Sequence, residues 1–426
     1  MQTTPVNSFQ WCERENGEMT GELTETPMRG TSGLSAYRSL LADPVARSFS
    51  FAGFVARMPL SMTGLGVVLI VTSYTGSFAL AGALTAASTI AAAVTAPWWG
   101  RVIDRIGQAK VLIIAGLICN VSLTLLIVSV MFELPVVLSF VAAVGTGIGF
   151  TSAGSCVRSR WTHRLRDGRL LQTAYAWEAV VDELIYVVGP VLVTTVSTTI
   201  HPAAGLASCV IFGSAGAVAL ALNKASEPPV VRRADDAPAV ARISPRRLAP
   251  IVAACVALGA LFGGMELVVV ACAEAFGVPA FAGVILGLWA ISSLVAGMAT
   301  GAVAWKAPPE RRFRGSAYLL ALSVLPLPFL GAPGLVAACL FVGGLAVAPT
   351  LIASVAVVQS QIPADRLNEA FGWTTMGMAG GVALGASTLG VLVDLGGYRG
   401  GFIGVTVIGV LIVIAASLVR RPAPTR

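Results

Sequence analysis

The sequence predicts an all-α membrane protein with twelve transmembrane helices in two six-helix bundles. Three observations carry that expectation. Hydrophobic residues make up 56% of the chain and charged residues only 12%, against the roughly 25% charged residues that a soluble domain carries. The apolar residues fall into runs of the ~20 residues that a helix needs to cross a bilayer. A polar stretch with prolines and both charge signs separates those runs into two sets of six.

Taken in order, residues 1–47 are rich in Ser, Thr, Glu and Pro. No apolar core follows a basic segment there, so a disordered cytoplasmic tail is expected and a cleaved signal peptide is not. Apolar runs follow near 49–73, 78–99, 111–131, 135–157, 173–199 and 203–222, and these place a first bundle over 48–222. Residues 223–247 read as a cytoplasmic linker. The second bundle, 248–420, holds runs near 248–273, 281–304, 315–331, 334–358, 369–393 and 400–420, and 421–426 form a second cytoplasmic tail. The ninth run is short and contains Pro326 and Pro328, so a kink is expected in it. An internal echo fits a duplicated plan. Leu171, Ala174, Tyr175, Trp177 and Gly189 return at one constant offset as Leu367, Ala370, Phe371, Trp373 and Gly385, opening the fifth and eleventh runs.

Charge sets the orientation. With the N-terminus inside, all of the 28 lysines and arginines except Arg57 and Arg399 fall in the tails and inner loops, as the positive-inside rule requires. Both termini are therefore expected in the cytoplasm. Lysine is rare while arginine, alanine and glycine are abundant, the mark of a GC-rich bacterial genome, so the expected site is the inner (plasma) membrane. The tryptophans Trp98, Trp99, Trp161, Trp177, Trp305 and Trp373 cluster at the inner ends of the runs and read as interfacial anchors.

Several classes are excluded as expectations. The net charge of +7 lies in loops between apolar runs, so it points to topology and not to nucleic acid. The seven cysteines form no CxxC pair, and both histidines, His163 and His201, fall in predicted loops. No disulfide framework, metal site or cofactor is expected. There is no GxxxxGK[ST] phosphate loop and no nucleophile–base cluster, so neither an ATPase nor a membrane enzyme is expected.

The loop after the second run reads WWGRVIDRIGQAK. It resembles the Gly-x-x-x-Asp-Arg-x-Gly signature of the major facilitator superfamily, carried here by Gly100, Asp104, Arg105, Gly107 and Lys110. Gly100 permits close backbone approach, and Gly107 suits a sharp turn. Asp104 can face a helix N-terminus or a basic partner. The resemblance implies a latch between the two halves that is broken and remade during transport. Gln108 and Ala109 stand where that family usually has basic residues. The counterpart WKAPPERRFRG keeps only its charge. The stretches FVARMPLSM and EAVVDELIYVVGP also resemble a bacterial branch of the superfamily with mostly unassigned substrates. The resemblance implies a secondary transporter, a small-molecule substrate, a lipid environment and a monomer.

Helix 5 is the most informative run. Glu178 and Asp182 share a face, which Tyr186 extends, and Glu183 is turned about 100° away. By a rise of ~1.5 Å per residue, Asp182 and Glu183 lie ~14–15 Å deep, and Arg57 of the first helix lies ~12 Å deep. Charges at that depth must be paired, neutralised or hydrated. Two readings stand together: a static ion pair between Arg57 and helix 5, or a group that carries protons or binds substrate. In the superfamily many proton antiporters have an arginine midway along helix 4; AAVGTGIGF lacks one, and Arg57 is the expected substitute. Gly189 and Pro190 match the Gly-Pro end of an antiporter motif, or form an ordinary kink. Glu266 of helix 7, which lines the cavity in this family, is a candidate for a cationic or hydroxylated substrate, or simply a hydrated group near the outer interface. The small-residue run GMAGGVALGAS of helix 11 reads as packing. A proton-coupled exporter of a small organic compound is the leading expectation, and a proton-coupled importer of a small metabolite the alternative.

Overall fold

A computed structural model describes residues 12–13, 19–20, 40–150, 153–165, 168–229, 245–302, 307–362 and 367–419. It is an all-α membrane fold. Near the start, Cys12–Glu13 and Met19–Thr20 form a two-stranded antiparallel pair. The first span is Pro44–Thr75, the second Phe78–Ile106 and the third Gln108–Met131. The fourth consists of two helices, Val136–Ile148 and Ala153–Arg164. The fifth is Gly168–Thr199, the sixth Ala204–Leu222, the seventh Pro245–Ala275 and the eighth Phe281–Ala302. The ninth is Pro309–Val324, the tenth Pro333–Gln361. The eleventh and twelfth run together as Leu367–Leu418 across a kink at Gly396 and Gly397.

Ten helices among the described residues are long and apolar enough to cross a membrane. The count reaches twelve because the ninth span has only 16 residues and the last long helix is two spans. Gly397 turns the chain with a φ of 60°, a conformation open to glycine at little cost. At the ninth span the expected kink is a termination: the helix ends at Val324 and the two prolines border a 3₁₀ turn, Leu327–Phe329.

Burial separates an inner pair of spans from the rest. The first and seventh have 67% and 83% of their apolar windows buried, against 28–50% for the others. Both are ringed by neighbours from both halves. Glycines in these spans and their neighbours allow this. A Cβ on Gly259 or Gly263 would collide with the carbonyls of Met378 or Val382 in the eleventh span, and one on Gly216 with Ala56. The expected packing role of the small-residue run is borne out in this way: Gly381 and Gly385 abut the backbone at Val256 and Ala260.

The two halves meet toward the side away from the termini. Gly82 abuts Ala386, Gly390 abuts Phe78, and Gly283 lies against Pro190 and Thr194. Asp394 accepts from Ser77, Phe78 and Ala79, and Thr72 donates to Glu274 at 3.4 Å. Each of these pairs joins a residue of one bundle to a residue of the other.

Candidate functional site

The charged residues of the first, fourth and fifth spans converge. Arg57 bonds Glu178 at 2.5 Å through Nη2 and Asp182 at 2.7 Å through Nη1, and its Nε donates to the Gly53 carbonyl at 2.9 Å. Every face of the guanidinium fork is used, which suits arginine and not lysine. Glu178 is fully buried and also accepts from Ser50 Oγ at 3.0 Å and Trp161 Nε1 at 2.8 Å. Trp177 donates to the same Ser50 hydroxyl at 2.9 Å. A charge buried this deeply survives because both carboxylate oxygens have donors, one of them a guanidinium.

Asp182 sits differently. It is 29% exposed, and its second oxygen bonds Arg158 at 2.6 Å, whose side chain is 45% exposed. One carboxylate thus bridges a buried and an exposed guanidinium. Glu183, next along the helix, is half-buried, and Tyr186 is exposed on the same span. Tyr186 lies within electrostatic range of Asp182, Glu183 and Glu266. Glu266 reaches the first span, with Oε2 2.9 Å from where a Cβ on Gly64 would stand.

Arg158 is the residue that sequence reasoning missed. The apolar run stops near Val157, so the arginines beyond it read as loop charge. The helix continues to Arg164, and Arg57 is therefore not the only basic residue on a spanning helix. The available signal was local: SCVRSRWTHR contains no Gly or Pro to stop a helix. The interfacial reading of the tryptophans also needs correction. Trp161 and Trp99 are buried, with Trp99 donating to the Ile148 carbonyl at 2.6 Å. Trp161 and Trp177 work as donors inside the charge network. Trp98 and Trp373 are exposed; Trp305 lies outside the described residues.

The loop after the second span has its own geometry. Gly107 ends one helix and starts the next with a φ of 91° and donates to the Ile103 carbonyl. Gly100 has open space around it, and Arg105 and Lys110 are exposed. The Asp104 side chain lies outside the described residues. Neighbouring Gln108 accepts from the buried Arg160 at 2.9 Å, and the Ala109 N–H donates to Glu227 at 2.8 Å. Arg160 also donates to the Asn223 carbonyl and to Ser226. The two positions that depart from the signature are thus used to hold the start of the linker. Gly189 packs against Ser61 and Met62, and the carbonyl of Pro190 faces Gly283 of the other half.

The sequence profile of the Major Facilitator Superfamily matches residues 49–342. The chain belongs to that superfamily. As a member it is a secondary transporter of small molecules and not an enzyme. No curated protein matches the sequence. Among solved structures, the nucleoside transporter NupG aligns with a TM-score of 0.69 at 14% identity, covering 89% of this chain and 100% of that one. A bacterial homologue of the iron transporter ferroportin, in an inward-facing state, aligns at 0.70 and 14%, covering 88% and 98%. An auto-inhibited POT family peptide transporter aligns at 0.69 and 12%, covering 89% and 98%. At such identities these relatives of the superfamily show the shared fold.

Proposed function

We propose that this superfamily member is a proton-coupled exporter of a small organic compound, working by alternating access in the inner membrane with both termini in the cytoplasm. The observation that carries the reading is the shared position of Asp182 between Arg57 and Arg158. Glu178 is saturated with donors and serves as the fixed counter-ion of Arg57. Asp182 is reachable and is held partly by an arginine that can swing away. When Arg158 leaves, Asp182 loses one of its two cations and is freed to take another partner. Glu183, one residue on, supplies a second acid on the path.

Export is favoured by the Gly189–Pro190 step. It matches the Gly-Pro end of an antiporter motif, and it touches the first span at Ser61 and Met62 and the eighth at Gly283. The loop at Gly100, Asp104, Arg105, Gly107 and Lys110 acts on the other side as the inner latch in this reading. The positive-inside distribution supports the orientation. A monomer suffices, since the site is built within one chain.

The test is substrate-dependent proton flux in proteoliposomes containing wild type or Asp182→Asn. Coupled flux is expected to vanish in the variant while binding persists. Unchanged coupled flux removes Asp182 from the mechanism. Substrate-driven acidification with uptake in the reverse sense assigns import instead.

A further inference from the structure

Beyond the charge network lies a second polar spot that the network does not use. Three spans meet at Gly64. A Cβ there would stand 2.9 Å from Glu266 Oε2 of the seventh span and 3.8 Å from Thr85 Cγ2 of the second. Glu266 is half-buried and, among the described residues, has no hydrogen bond and no ion pair. The Thr85 hydroxyl is shielded from solvent and likewise lacks a partner among the described residues. A carboxylate is acceptor-only, and a hydroxyl oxygen has two lone pairs. The unmet buried Thr85 hydroxyl costs stability, and the half-buried, unpaired Glu266 carboxylate near it is open to a donor from outside the chain.

We propose that Glu266 and Thr85, beside Gly64, form a recognition subsite for an organic ammonium group, so that the transported compound is a cationic amine. The assignment rests on the transporter reading above and names the substrate class of that site. An ammonium brings a positive charge to Glu266 and N–H donors for its carboxylate and for the Thr85 hydroxyl. A metal ion fits worse: Ca²⁺ takes 6–8 oxygens, whereas one carboxylate and one threonine side chain meet beside Gly64. An anion is excluded from direct contact with Glu266 by like charge. Gly64 keeps the space open, and its replacement by alanine displaces a flexible carboxylate end and no backbone atom, so the fold is expected to tolerate it.

The experiment uses the full chain in lipid nanodiscs at pH 7 and three probes matched in shape: phenethylamine, phenethyl alcohol and 3-phenylpropanoate. Tryptophan fluorescence reports binding. The amine is expected to bind at least about tenfold more tightly than the other two, the worth of one charge-assisted contact. Glu266→Gln and Gly64→Ala are each expected to lose about that factor, and Thr85→Val a few-fold. Gly380→Ala, whose added methyl meets nothing within 4 Å, is expected to bind within about twofold of wild type. Equal binding of the alcohol or the anion, no binding of any probe to wild type, or undiminished amine binding by Glu266→Gln overturns the assignment. Should Gly64→Ala fail to fold, Glu266→Gln decides alone. Amine binding through Glu266 without proton flux would overturn the coupling reading and leave this one standing; coupled flux without it does the reverse.

Discussion

The carboxylate of Asp394 accepts the backbone N–H of Phe78 at 2.7 Å, and its other oxygen accepts from Ala79 at 2.8 Å and Ser77 at 3.0 Å. Asp394 ends the eleventh span, and Ser77 is the N-cap of the second. A helix of one bundle is therefore capped by an acid of the other. The first N–H groups of a helix have no partner within it, and an acid at that end also favours the helix dipole.

Opening toward that side must break this cap. Loss of an N-cap side chain costs about 0.5–2 kcal/mol, which is a shift of about 2- to 30-fold in a two-state population. Asp394→Ala is expected to favour the state open to the far side. Thiol labelling of a cysteine placed at Ser387, beside the contact of Gly82 with Ala386, is expected to speed up by a comparable factor. An unchanged labelling rate would show that the cap does not hold the halves together.

Glu178 and Asp182 lie one turn apart, yet removal of their charges is expected to have opposite consequences. Glu178→Ala leaves the buried Arg57 only the part-exposed Asp182 and removes the acceptor of Ser50 and Trp161, and breaking a buried pair costs up to about 3–5 kcal/mol. A large drop in the thermal unfolding midpoint is expected. Asp182 is part-exposed, and Arg57 keeps Glu178 without it, so Asp182→Asn is expected to lie within a few degrees of wild type. Similar midpoints for the two variants would contradict the division into a fixed, buried acid and a part-exposed one.

Acid stability is tied to the start of the first span. Asp43 caps it, accepting from the Val45 N–H at 3.0 Å, and pairs with Arg164 at the end of the fourth span. The hydrogen bond from Arg164 holds the Asp43 carboxyl below its ordinary value of 3.8. A carboxylate whose pKa is lower folded than unfolded contributes stability above the unfolded value. That contribution disappears as pH falls through the folded value. The unfolding midpoint is therefore expected to decline below about pH 4, and Asp43→Asn to flatten that part of the profile. Superimposable profiles for the two proteins would refute the assignment.

The legibility of this protein in its sequence divides by the range of the interaction. Hydropathy located the spans because each apolar run answers to the bilayer alone. The break inside the fourth span escaped it, since Gly149 is as apolar by count as its neighbours and the charged helix after it, Ala153–Arg164, carries no membrane signal. Depth arithmetic was enough to pair Arg57 with the fifth span, because both helices start on the same side. It could not find Arg158, whose helix was taken for loop, nor Thr85, an ordinary residue until Gly64 and Glu266 are seen beside it. Trp161 shows the same limit: its position near a span end suggested an interface, while its indole N–H is spent on Glu178.

Adjacent glycines in the eleventh span give the sharpest test of the packing. A Cβ on Gly380 meets nothing within 4 Å. One on Gly381 would collide with the Val256 carbonyl oxygen and stand 2.9 Å from the Val256 Cα. Backbone of a buried, doubly enclosed seventh span cannot step aside as a side-chain tip can, so the helices must separate. Overpacking of this kind costs about 1–3 kcal/mol. Gly381→Ala is expected to lower the thermal midpoint, whereas Gly380→Ala is expected to be neutral or to raise it, since alanine is worth up to about 1 kcal/mol over glycine in a helix. The two variants add the same methyl at successive positions, so propensity and membrane insertion are matched. Only the partner across the interface differs, and equal effects would mean that the seventh and eleventh spans do not pack through Gly381.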